Sequence, residues 1–373
     1  MIEEWHRLAE ELARQLVERG VLVDPHWREA FENTPRHVFV PTWFRNPDSL
    51  VHEGDSDWLS STYRDASLVT RYVPVPGAEE LRWATSSSTM PSLMSRMLHL
   101  LDVRDGQRVL EIGTGTGYNA ALLCYRLGGE HVTSIDLDPK LVRCASAALD
   151  SLGWQPRLSV GDGEKGVADR APYDRIISTA SVPAIPPAWV EQLGHDGVIV
   201  ADLRGGLSSN LIVLHKTAAG SVEGRFMATP GHFMWCRREV ENPLRDGGRF
   251  NRTYDATDPL RLTTDTDPRT IEEGGARLLV QELYERDLTV WETDESGGRV
   301  LHLCTDDASW CDVELSFKPY QVTQGGPTDI WDMVERALIH WSALGRPAAE
   351  RFGLSVTLSG RNLWLDVPEN VIV

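Results

Sequence analysis

The stretch that most constrains the fold runs from Val109 to Tyr118 and reads VLEIGTGTGY. Its first four residues, Val109 to Ile112, predict a short buried strand. Three glycines at alternate positions follow, where a side chain would keep a ligand away from the backbone. The pattern then predicts a helix from Asn119 to Leu127. A strand, a glycine turn and a helix in this order present backbone N–H groups at the carboxyl edge of a sheet, where α/β folds bind nucleotides.

Two further apolar stretches end in carboxylates. The predicted strand from His131 to Ile135 leads into Asp136, at about the distance downstream at which a carboxylate meets ribose hydroxyls. The predicted strand from Arg157 to Val160 leads into Asp162, which lies between two glycines. Each feature alone is also explained by tight turns and helix capping. In this order, the three strand ends predict one adenosine-shaped site.

The alternation of strands and helices continues toward the C-terminus. Tyr173 to Ser178 is predicted as a fourth strand, with Thr179 at its carboxyl end facing the same crevice. The remaining predicted elements are a helix from Pro186 to Leu193, a fifth strand from Val198 to Leu203, and two stretches that complete the sheet, Leu211 to Leu214 and Phe226 to Trp235. This order predicts a doubly wound α/β domain. The glycine turn lacks the Lys-Ser/Thr pair with which a P-loop holds triphosphate and magnesium.

A hydroxyl-rich run, residues 84–91 with the sequence ATSSSTMP, precedes a predicted helix from Ser92 to Leu101. N-capping of that helix explains one hydroxyl but not the whole run. The alternative interpretation is a loop of hydrogen-bond donors beside the glycine turn that can hold a carboxylate. The candidates for this contact are Ser87, Ser88 and Thr89.

The segments on either side of this region have patterns of their own. Leucines at helical spacing predict an N-terminal helix from Ile2 to Arg19, and a second helix is predicted from Asp24 to Phe31. The proline-bounded segment from Pro35 to Pro41 is predicted to be extended. His37 within it is interpreted as structural, because no cysteine or serine partner is spaced nearby. A change of composition from Glu241 through Pro268 predicts a linker.

The residues after the linker predict a mixture of strands and one helix. Strands are expected near Arg277 to Leu283, Leu288 to Glu292, Val300 to Cys304 and Asp312 to Phe317. An amphipathic helix is expected from Asp329 to Leu344, with one apolar face made by Trp331, Val334, Leu338 and Trp341. A closing hairpin is expected from Leu354 to Leu358 and Asn362 to Leu365. We expect a core position for Val334 and Leu338, and less so for the two tryptophans.

Charge and cysteine usage limit the partners. With 55 acidic and 37 basic residues the formal net charge is −18, which argues against a nucleic-acid partner, since binding phosphates needs a basic face. No apolar run approaches the length of a membrane span, and the first residues are acidic and amphipathic, so we expect a cytoplasmic protein without a membrane partner. The five cysteines are scattered without zinc-site spacing, so we expect them to be reduced and buried, with no metal site.

Four motifs, in the same order as in that family, resemble protein-L-isoaspartate O-methyltransferases between Pro35 and Arg237. They are PRHVFV at Pro35 to Val40, the hydroxyl run ending in Thr89-Met90-Pro91, the glycine turn, and Gly161-Asp162-Gly163 followed by Ala171-Pro172-Tyr173-Asp174. The resemblance implies a Rossmann-like class I methyltransferase fold. It also implies S-adenosyl-L-methionine (SAM) as cofactor and S-adenosyl-L-homocysteine as product. A sulfonium cation suits a carboxylate-lined pocket better than a pyrophosphate does, which argues against NAD.

The resemblance also implies roles for individual residues. In that family, a hydroxyl residue two places before the proline of the hydroxyl run contacts the substrate carboxyl. The matching residue is Thr89, where the family usually has serine, and Ser88 and Ser87 are expected beside it. No general base is needed, because a side-chain carboxylate is ionised near neutral pH. Asp136 is expected on the ribose and Asp162 on the adenine amine. The expected cofactor-binding set is Glu111, Gly113, Thr114, Gly115, Tyr118, Asn119, Asp136, Leu137, Asp162, Gly163 and Thr179.

We expect three domains and a peptide substrate. Residues 1–80 are predicted to be a helical and extended segment packing on the core, residues 81–240 the methyltransferase domain, and residues 241–373 a C-terminal α+β domain for peptide recognition. An added domain of this size suggests a dedicated partner held near the active site. Monomer is the favoured oligomeric state.

The substrate depends on which relatives the C-terminal part resembles. Its sequence from Gly345 to Leu354 and from Trp364 to Asp366 is similar to extended actinobacterial members associated with ribosomally synthesised, modified peptides (RiPPs) such as lanthipeptides and graspetides. That resemblance implies methylation of an aspartate in a macrocyclic peptide, after which the ester closes to an aspartimide. The alternatives are repair of isoaspartyl residues in damaged proteins and a non-catalytic peptide-binding module. Methylation of a small molecule or of RNA is a weaker alternative.

Overall fold

The computed structural model describes residues 2–75, 78–240, 259–284, 288–295 and 298–373. The helices are α1 (Ile2–Glu18), α2 (Pro25–Asn33), α3 (Arg36–Phe39), α4 (Trp58–Thr62), α5 (Pro91–Leu101), α6 (Tyr118–Leu127), α7 (Pro139–Ser151), α8 (Pro187–Gln192), α9 (Gly274–Leu283) and α10 (Ile330–Ala343). The first strands are β1 (Thr42–Asn46), β2 (Ser49–His52), β3 (Leu68–Val75), β4 (Ala78–Ser88), β5 (Val109–Ile112), β6 (Val132–Asp136), β7 (Arg157–Val160), β8 (Tyr173–Val182) and β9 (Leu193–Arg204). The later strands are β10 (Ser209–Lys216), β11 (Val222–Phe226), β12 (Leu260–Thr264), β13 (Thr289–Glu295), β14 (Gly298–Cys304), β15 (Trp310–Glu314), β16 (Tyr320–Gly325), β17 (Phe352–Val356) and β18 (Arg361–Leu365).

The chain divides into two compact units. The first unit contains Met1–Asp202, Val213–Val222 and Phe233–Arg245, and the second contains Leu203–Ile212, Glu223–His232 and Asp246–Val373. The linker predicted from Glu241 falls largely on residues 241–258, which lie outside the described residues. The three domain boundaries expected from the sequence therefore stay predictions.

Parallel strands form the centre of the first unit. β5 is buried along its whole length and pairs in parallel with β6 on one side and β8 on the other, while β6 pairs in parallel with β7. The strand order β7-β6-β5-β8-β9 is that of a doubly wound sheet whose direction of winding changes between β5 and β8. The predicted fold class is confirmed. The carboxyl ends of β5, β6, β7 and β8 consequently meet at one edge, where such folds bind ligands.

A second, antiparallel sheet in the same unit has the strand order β2-β1-β3-β4, so β4 is an edge strand. The hydroxyl-rich run, which we expected to be a loop, forms the end of β4. Arg71 pairs with Ser86 and Tyr72 with Ala84, so Thr85 is an extra residue on β4, a β-bulge. Serine and threonine are compatible with both a loop and a strand, and pairing with β3 decides between them.

The segment predicted to be extended from Pro35 to Pro41 is instead a short helix, α3, and that prediction was wrong. Pro35 occupies the position before the first helical residue, where the fixed φ of proline is well tolerated. Arg36 and Phe39 become buried on one side of this turn. The other helices near the site, α1, α2, α5 and α6, begin and end within about two residues of their predicted limits.

The second unit contains an antiparallel sheet of strand order β12-β16-β15-β14-β13. β13, β14, β15 and the hairpin of β17 and β18 lie where strands were predicted, but β12 and β16 were not anticipated. The stretch from Arg277 to Leu283 is part of α9 and not a strand, because a short apolar run does not by itself distinguish a buried helix from a buried strand. The predicted apolar face of α10 is fully buried: Trp331, Val334, Leu338 and Trp341.

Two smaller expectations also need correction. The stretch from Phe226 to Trp235 does not form a strand of its own. β11 ends at Phe226, and Trp235 forms an isolated bridge with Ser181. The five cysteines are free thiols as expected, but Cys144 is exposed and Cys304 half-buried.

Candidate active site

The glycine turn between β5 and α6 has a backbone that only glycine adopts freely. Gly113, Gly115 and Gly117 have φ angles of +93°, +52° and +87°. The N–H of Gly113 donates to the carbonyl of Ile135 at 2.8 Å, which joins the turn to β6. The Thr179 hydroxyl donates to the carbonyl of Gly113 at 2.8 Å, which joins it to β8. A Cβ at position 113 would lie 2.8 Å from that hydroxyl oxygen, so a larger residue would require the turn or Thr179 to move.

Asp136 lies at the end of β6, directly beside the turn. Its Oδ2 accepts a hydrogen bond from the N–H of Gly115 at 2.8 Å, and its Oδ1 accepts one from the N–H of Asp138 at 3.0 Å. Burial raises the pKa of the Asp136 carboxyl, while the Gly115 hydrogen bond and the positive charge of Arg237 act in the opposite direction. The carboxylate is thus fixed next to the turn, with its orientation set by backbone groups.

Below the turn lies a buried polar network. The two carboxylate oxygens of Glu111 accept hydrogen bonds from Asn119 Nδ2, at 2.7 Å, and from the Ser134 hydroxyl. The Thr114 hydroxyl lies 2.6 Å from that of Ser134. Burial raises the pKa of Glu111 to about 7. Of the residues expected to touch the cofactor, Glu111, Asn119 and Thr114 therefore make hydrogen bonds within the fold, and we assign these contacts to positioning the turn.

The third strand end carries Asp162 and Gly163. Asp162 Oδ1 accepts a hydrogen bond from the N–H of Glu164 at 3.0 Å and caps a short 3-10 helix. Gly163 packs on β5, since a Cβ there would lie 2.7 Å from Cγ2 of Ile112, and its carbonyl accepts a hydrogen bond from Trp189 Nε1 at 2.8 Å. Asp162 and Leu137 are both half-buried at the same sheet edge.

The end of β4 lies against the glycine turn. A Cβ on Gly115 would lie 3.7 Å from the carbonyl oxygen of Ser87, so the two backbones are close with little between them. Burial alternates along this strand: Ser88 is buried, whereas Ser87 and Thr89 are half-buried. In the described part of the chain, no partner hydrogen-bonds to the hydroxyl of Thr89. The Ser88 hydroxyl instead accepts hydrogen bonds from Nε and Nη2 of Arg36, both at 3.3 Å, and this differs from the substrate contact expected for it.

Arg36 is the residue that sequence reasoning missed. Its side chain is completely buried, and its guanidinium donates to the carbonyls of Thr62 at 3.0 Å, Arg64 at 2.9 Å, Ala66 at 3.0 Å and Thr89 at 3.1 Å. Burial lowers its pKa to about 10. Arg36 therefore joins Ser88 and Thr89 to the end of α4 and to the residues that follow it. The PRHVFV motif pointed to this stretch, but nothing in the motif identifies which carbonyls the arginine binds.

Tyr118 was also expected at the cofactor. Its ring is buried and packs against Phe31 and Phe39, with centroid distances of 6.3 and 6.0 Å, and the guanidinium of Arg36 lies 5.7 Å from its centroid. Burial raises the pKa of its hydroxyl. These contacts join the start of α6 to α2 and α3.

Within the described ranges, no group of three or more His, Cys, Asp or Glu side chains is placed to bind a metal ion. None of the helices in those ranges is long and apolar enough to cross a membrane.

A doubly wound sheet with a glycine turn and carboxylate-bearing strand ends at its switch point is suited to bind a nucleotide-like ligand, and here it is the fold of the class I SAM-dependent methyltransferases. The residues present fit this cofactor. The glycine turn offers a surface without side chains, and Asp136 and Asp162 lie on the strand ends that follow. Residues 7–230 match the family model described as protein-L-isoaspartate(D-aspartate) O-methyltransferase (PCMT), which is more than half of the 373 residues. The chain belongs to this family of SAM-dependent protein carboxyl O-methyltransferases.

Individual relatives agree with this assignment. A protein-L-isoaspartate O-methyltransferase of Hyperthermus butylicus is 30% identical over 259 residues, which cover 65% of this chain and 97% of the relative. Protein-L-isoaspartate O-methyltransferase 2 of Archaeoglobus fulgidus is 35% identical over 223 residues, covering 59% and 87%. A solved structure named protein-L-isoaspartate O-methyltransferase aligns with a TM-score of 0.56 at 23% identity, covering 96% of this chain and all of the other. That last likeness concerns the fold.

Proposed function

We propose that this protein is a protein-L-isoaspartate O-methyltransferase, which methylates the free carboxylate of an isoaspartyl residue. The observation that carries the proposal is the proximity of Ser87, at the end of β4, to Gly115 in the glycine turn. That contact brings the hydroxyl strand, where the substrate carboxyl is expected, next to the turn where the cofactor is expected. Membership of the family and the names of the curated relatives support the same activity.

The residues divide into two groups by what they would bind. The backbone of the turn from Gly113 to Gly115, with Asp136 toward the ribose and Asp162 toward the adenine amine, would hold SAM. When bound, SAM supplies a methyl group on a positively charged sulfur, which an ionised carboxylate accepts without proton transfer. Thr89 would donate a hydrogen bond to the substrate carboxylate and orient it, since positioning of bound reactants can supply much of the rate.

The test is methylation of matched peptides. An isoaspartyl peptide and the same sequence with normal aspartate are incubated with the protein and SAM, and the intact mass is followed. We expect the gain of one methyl group on the isoaspartyl peptide and none on the aspartyl peptide. Binding of S-adenosyl-L-homocysteine, measured by calorimetry, is the control for a competent site. Failure to bind it would favour the non-catalytic peptide-binding alternative.

A second candidate is methylation of an aspartate in a modified RiPP, followed by loss of methanol and aspartimide formation. Thr89, in place of the serine usual in the family, favours a substrate different from that of the repair enzymes. The large C-terminal part does not distinguish between the two candidate functions, because a solved structure named protein-L-isoaspartate O-methyltransferase aligns over 96% of this chain. The test compares a linear and a cyclised precursor peptide with the isoaspartyl peptide in the same methylation assay. Methyl gain and methanol loss on the cyclised peptide alone would replace the first proposal.

A further inference from the structure

An ion pair joins the antiparallel sheet of the first unit to the start of α7. Arg71, in β3, pairs through Nη1 with Oδ2 of Asp138, the residue before α7. The Asp138 side chain is buried, and its Oδ1 accepts a hydrogen bond from the N–H of Lys140 at 2.7 Å, which caps the helix. The two carboxylate oxygens of Asp138 therefore bind different elements, one α7 and the other β3.

The cofactor side of this ion pair is Asp136. The N–H of Asp138 donates to Oδ1 of Asp136 at 3.0 Å, while Oδ2 of Asp136 accepts a hydrogen bond from the N–H of Gly115 at 2.8 Å. A shift of Asp138 would therefore move one of the donors that orient the Asp136 carboxylate. Burial raises the pKa of Asp136, and the positive charge of Arg71 acts in the opposite direction.

The substrate side of the ion pair is the strand β4. Arg71 lies opposite Ser86 in the pairing of β3 with β4, and the hydroxyl of Thr70 donates to the Ser86 hydroxyl at 2.9 Å. The carbonyl oxygen of Ser87, the next residue, lies close to the glycine turn. Thr89, which is proposed to hold the substrate carboxylate, follows shortly after the end of β4. The two strands consequently meet the cofactor half of the site at two points, Ser87 and Arg71.

Electrostatics make the contact between Arg71 and Asp138 hard to break. A buried carboxylate that loses its cationic partner is strongly destabilised, so the ion pair keeps β3 and the start of α7 in one arrangement. Asp136 and Asp138 are also separated by a single residue, and their carboxylates repel each other. The guanidinium of Arg71 reduces this repulsion, which favours the ionised form of Asp136.

We propose that Arg71 is a positioning residue that couples the two binding events, so that a bound peptide strengthens binding of the cofactor and the reverse. A peptide carboxylate held at Thr89 fixes the end of β4 and, through β3, the guanidinium of Arg71. Arg71 then holds Asp138, and Asp138 orients Asp136 toward the ribose. The effect is reciprocal, since two coupled ligands change each other's affinity by the same factor. This inference rests on the proposed carboxyl methylation and adds how its two substrates come to bind together.

The experiment measures a coupling factor, defined as the dissociation constant of S-adenosyl-L-homocysteine without peptide divided by its value with a saturating isoaspartyl peptide. Calorimetry gives both constants for the wild type, Arg71→Gln, Arg71→Lys and Arg45→Gln. Arg45 is the matched control, because it lies in β1 of the same sheet and forms an exposed ion pair with Asp57. We expect a factor of about fivefold or more for the wild type and Arg45→Gln, and no coupling in Arg71→Gln. Arg71→Lys should keep part of it, because it keeps the charge but not the planar fork.

Kinetics add a measurement that a loss of stability alone does not change. In Arg71→Gln, KM for the peptide at saturating SAM should rise by the same factor by which the coupling falls, because the bound cofactor no longer strengthens peptide binding. The affinity for S-adenosyl-L-homocysteine without peptide should stay within about twofold of wild type, because the backbone donors of Asp136 remain. A general loss of folded protein would instead lower kcat and leave KM unchanged.

The outcomes separate the role of Arg71 from the proposed function. A coupling factor in Arg71→Gln equal to that of the wild type would overturn the inference, and so would a wild type that methylates the peptide but shows no coupling. If Arg71→Gln shows no cooperative thermal unfolding, Asp138→Asn decides, because it removes the same ion pair and keeps a side chain that caps α7. An unchanged coupling factor there contradicts the inference. A wild type that does not methylate the isoaspartyl peptide would remove the proposed function, and this inference with it.

Discussion

Polar residues that are neighbours in this site have different roles, which follow from how each side chain is buried and bound. Ser88 and Thr89 are adjacent and chemically similar, yet Ser88 is enclosed with Arg36 while Thr89 keeps an accessible hydroxyl. Glu111 and Asp136 are both carboxylates at strand ends, yet Glu111 is bound by side chains below the turn and Asp136 by backbone N–H groups beside it. Direct contact with ligands is therefore expected for Thr89 and Asp136, and support of the backbone for Ser88 and Glu111.

Replacing the Thr89 hydroxyl tests the substrate contact. Thr89→Val keeps the shape but removes the donor, so we expect kcat on the isoaspartyl peptide to fall by about tenfold to a hundredfold, the cost of one charge-assisted hydrogen bond. The affinity for S-adenosyl-L-homocysteine should stay within about twofold of wild type, and Thr89→Ser should keep most of the activity. Steady-state kinetics and calorimetry on the three proteins measure these effects. Equal loss of cofactor affinity and kcat would show that Thr89 supports the turn instead.

Glu111 makes the stability of the fold depend on pH. Its pKa is about 7 in the folded protein against 4.5 as the ordinary value, so between these values the folded state holds a proton that the unfolded chain has lost. The stability that this extra proton gives the folded state is fully present below about pH 4.5 and is lost as the pH rises through 7. The free energy of unfolding of the wild type relative to Glu111→Gln should therefore fall between pH 5 and 8 by on the order of 3 kcal/mol.

Urea unfolding at several pH values measures that difference. The control is Glu130→Gln, which removes a carboxylate whose side chain is 77% exposed. A constant difference between wild type and Glu111→Gln across this range would mean that Glu111 stays ionised in the folded protein.

At the scale of secondary structure, the elements with a local signal were predictable. The strand β5, its glycine turn and α6 carry their own pattern of apolar residues and glycines, and so do β6, β7 and β8. β4, α3 and α9 depend on contacts distant in the chain: pairing of the hydroxyl run with β3, burial of Arg36 and Phe39, and burial of apolar residues such as Leu279. The site residues that directly follow a strand end were predictable from the sequence. The contacts of Arg36 were not, because most of its acceptors are backbone carbonyl oxygens, which every residue has.

The glycine turn offers a prediction that separates backbone strain from steric conflict. Gly113 and Gly220 have similar φ angles, +93° and +86°, but a Cβ meets the Thr179 hydroxyl at 2.8 Å only at position 113. For both Gly113→Ala and Gly220→Ala, the free energy of unfolding should fall by about 1–2 kcal/mol, because alanine is strained in a left-handed backbone conformation. The free energy of unfolding of Gly113→Ala should fall further, and its affinity for S-adenosyl-L-homocysteine should fall by at least about tenfold, because the turn must move. Thermal unfolding and calorimetry on both variants test this, and equal behaviour of the two would contradict it.

At the scale of the whole molecule, the excess of acidic residues influences the association rates of peptides that differ in charge. The formal net charge of −18 repels acidic peptides at long range. An isoaspartyl peptide with lysines on both sides should therefore have a higher kcat/KM at low ionic strength than the same peptide with glutamates. The difference should shrink by about 150 mM salt, where the screening length is about 8 Å. A ratio that does not respond to salt would show that local contacts, and not the overall charge, set the preference.

The hydrogen bonds of Arg36 have a consequence for the order in which the site is made. Arg36, the carbonyls that it binds and the strand β4 all lie before Met90. A ribosome therefore delivers Arg36, its acceptors and β4 before it begins the glycine turn at Gly113. During translation, the part proposed to contact the substrate carboxyl group leaves the exit tunnel ahead of the part proposed to hold the methyl donor.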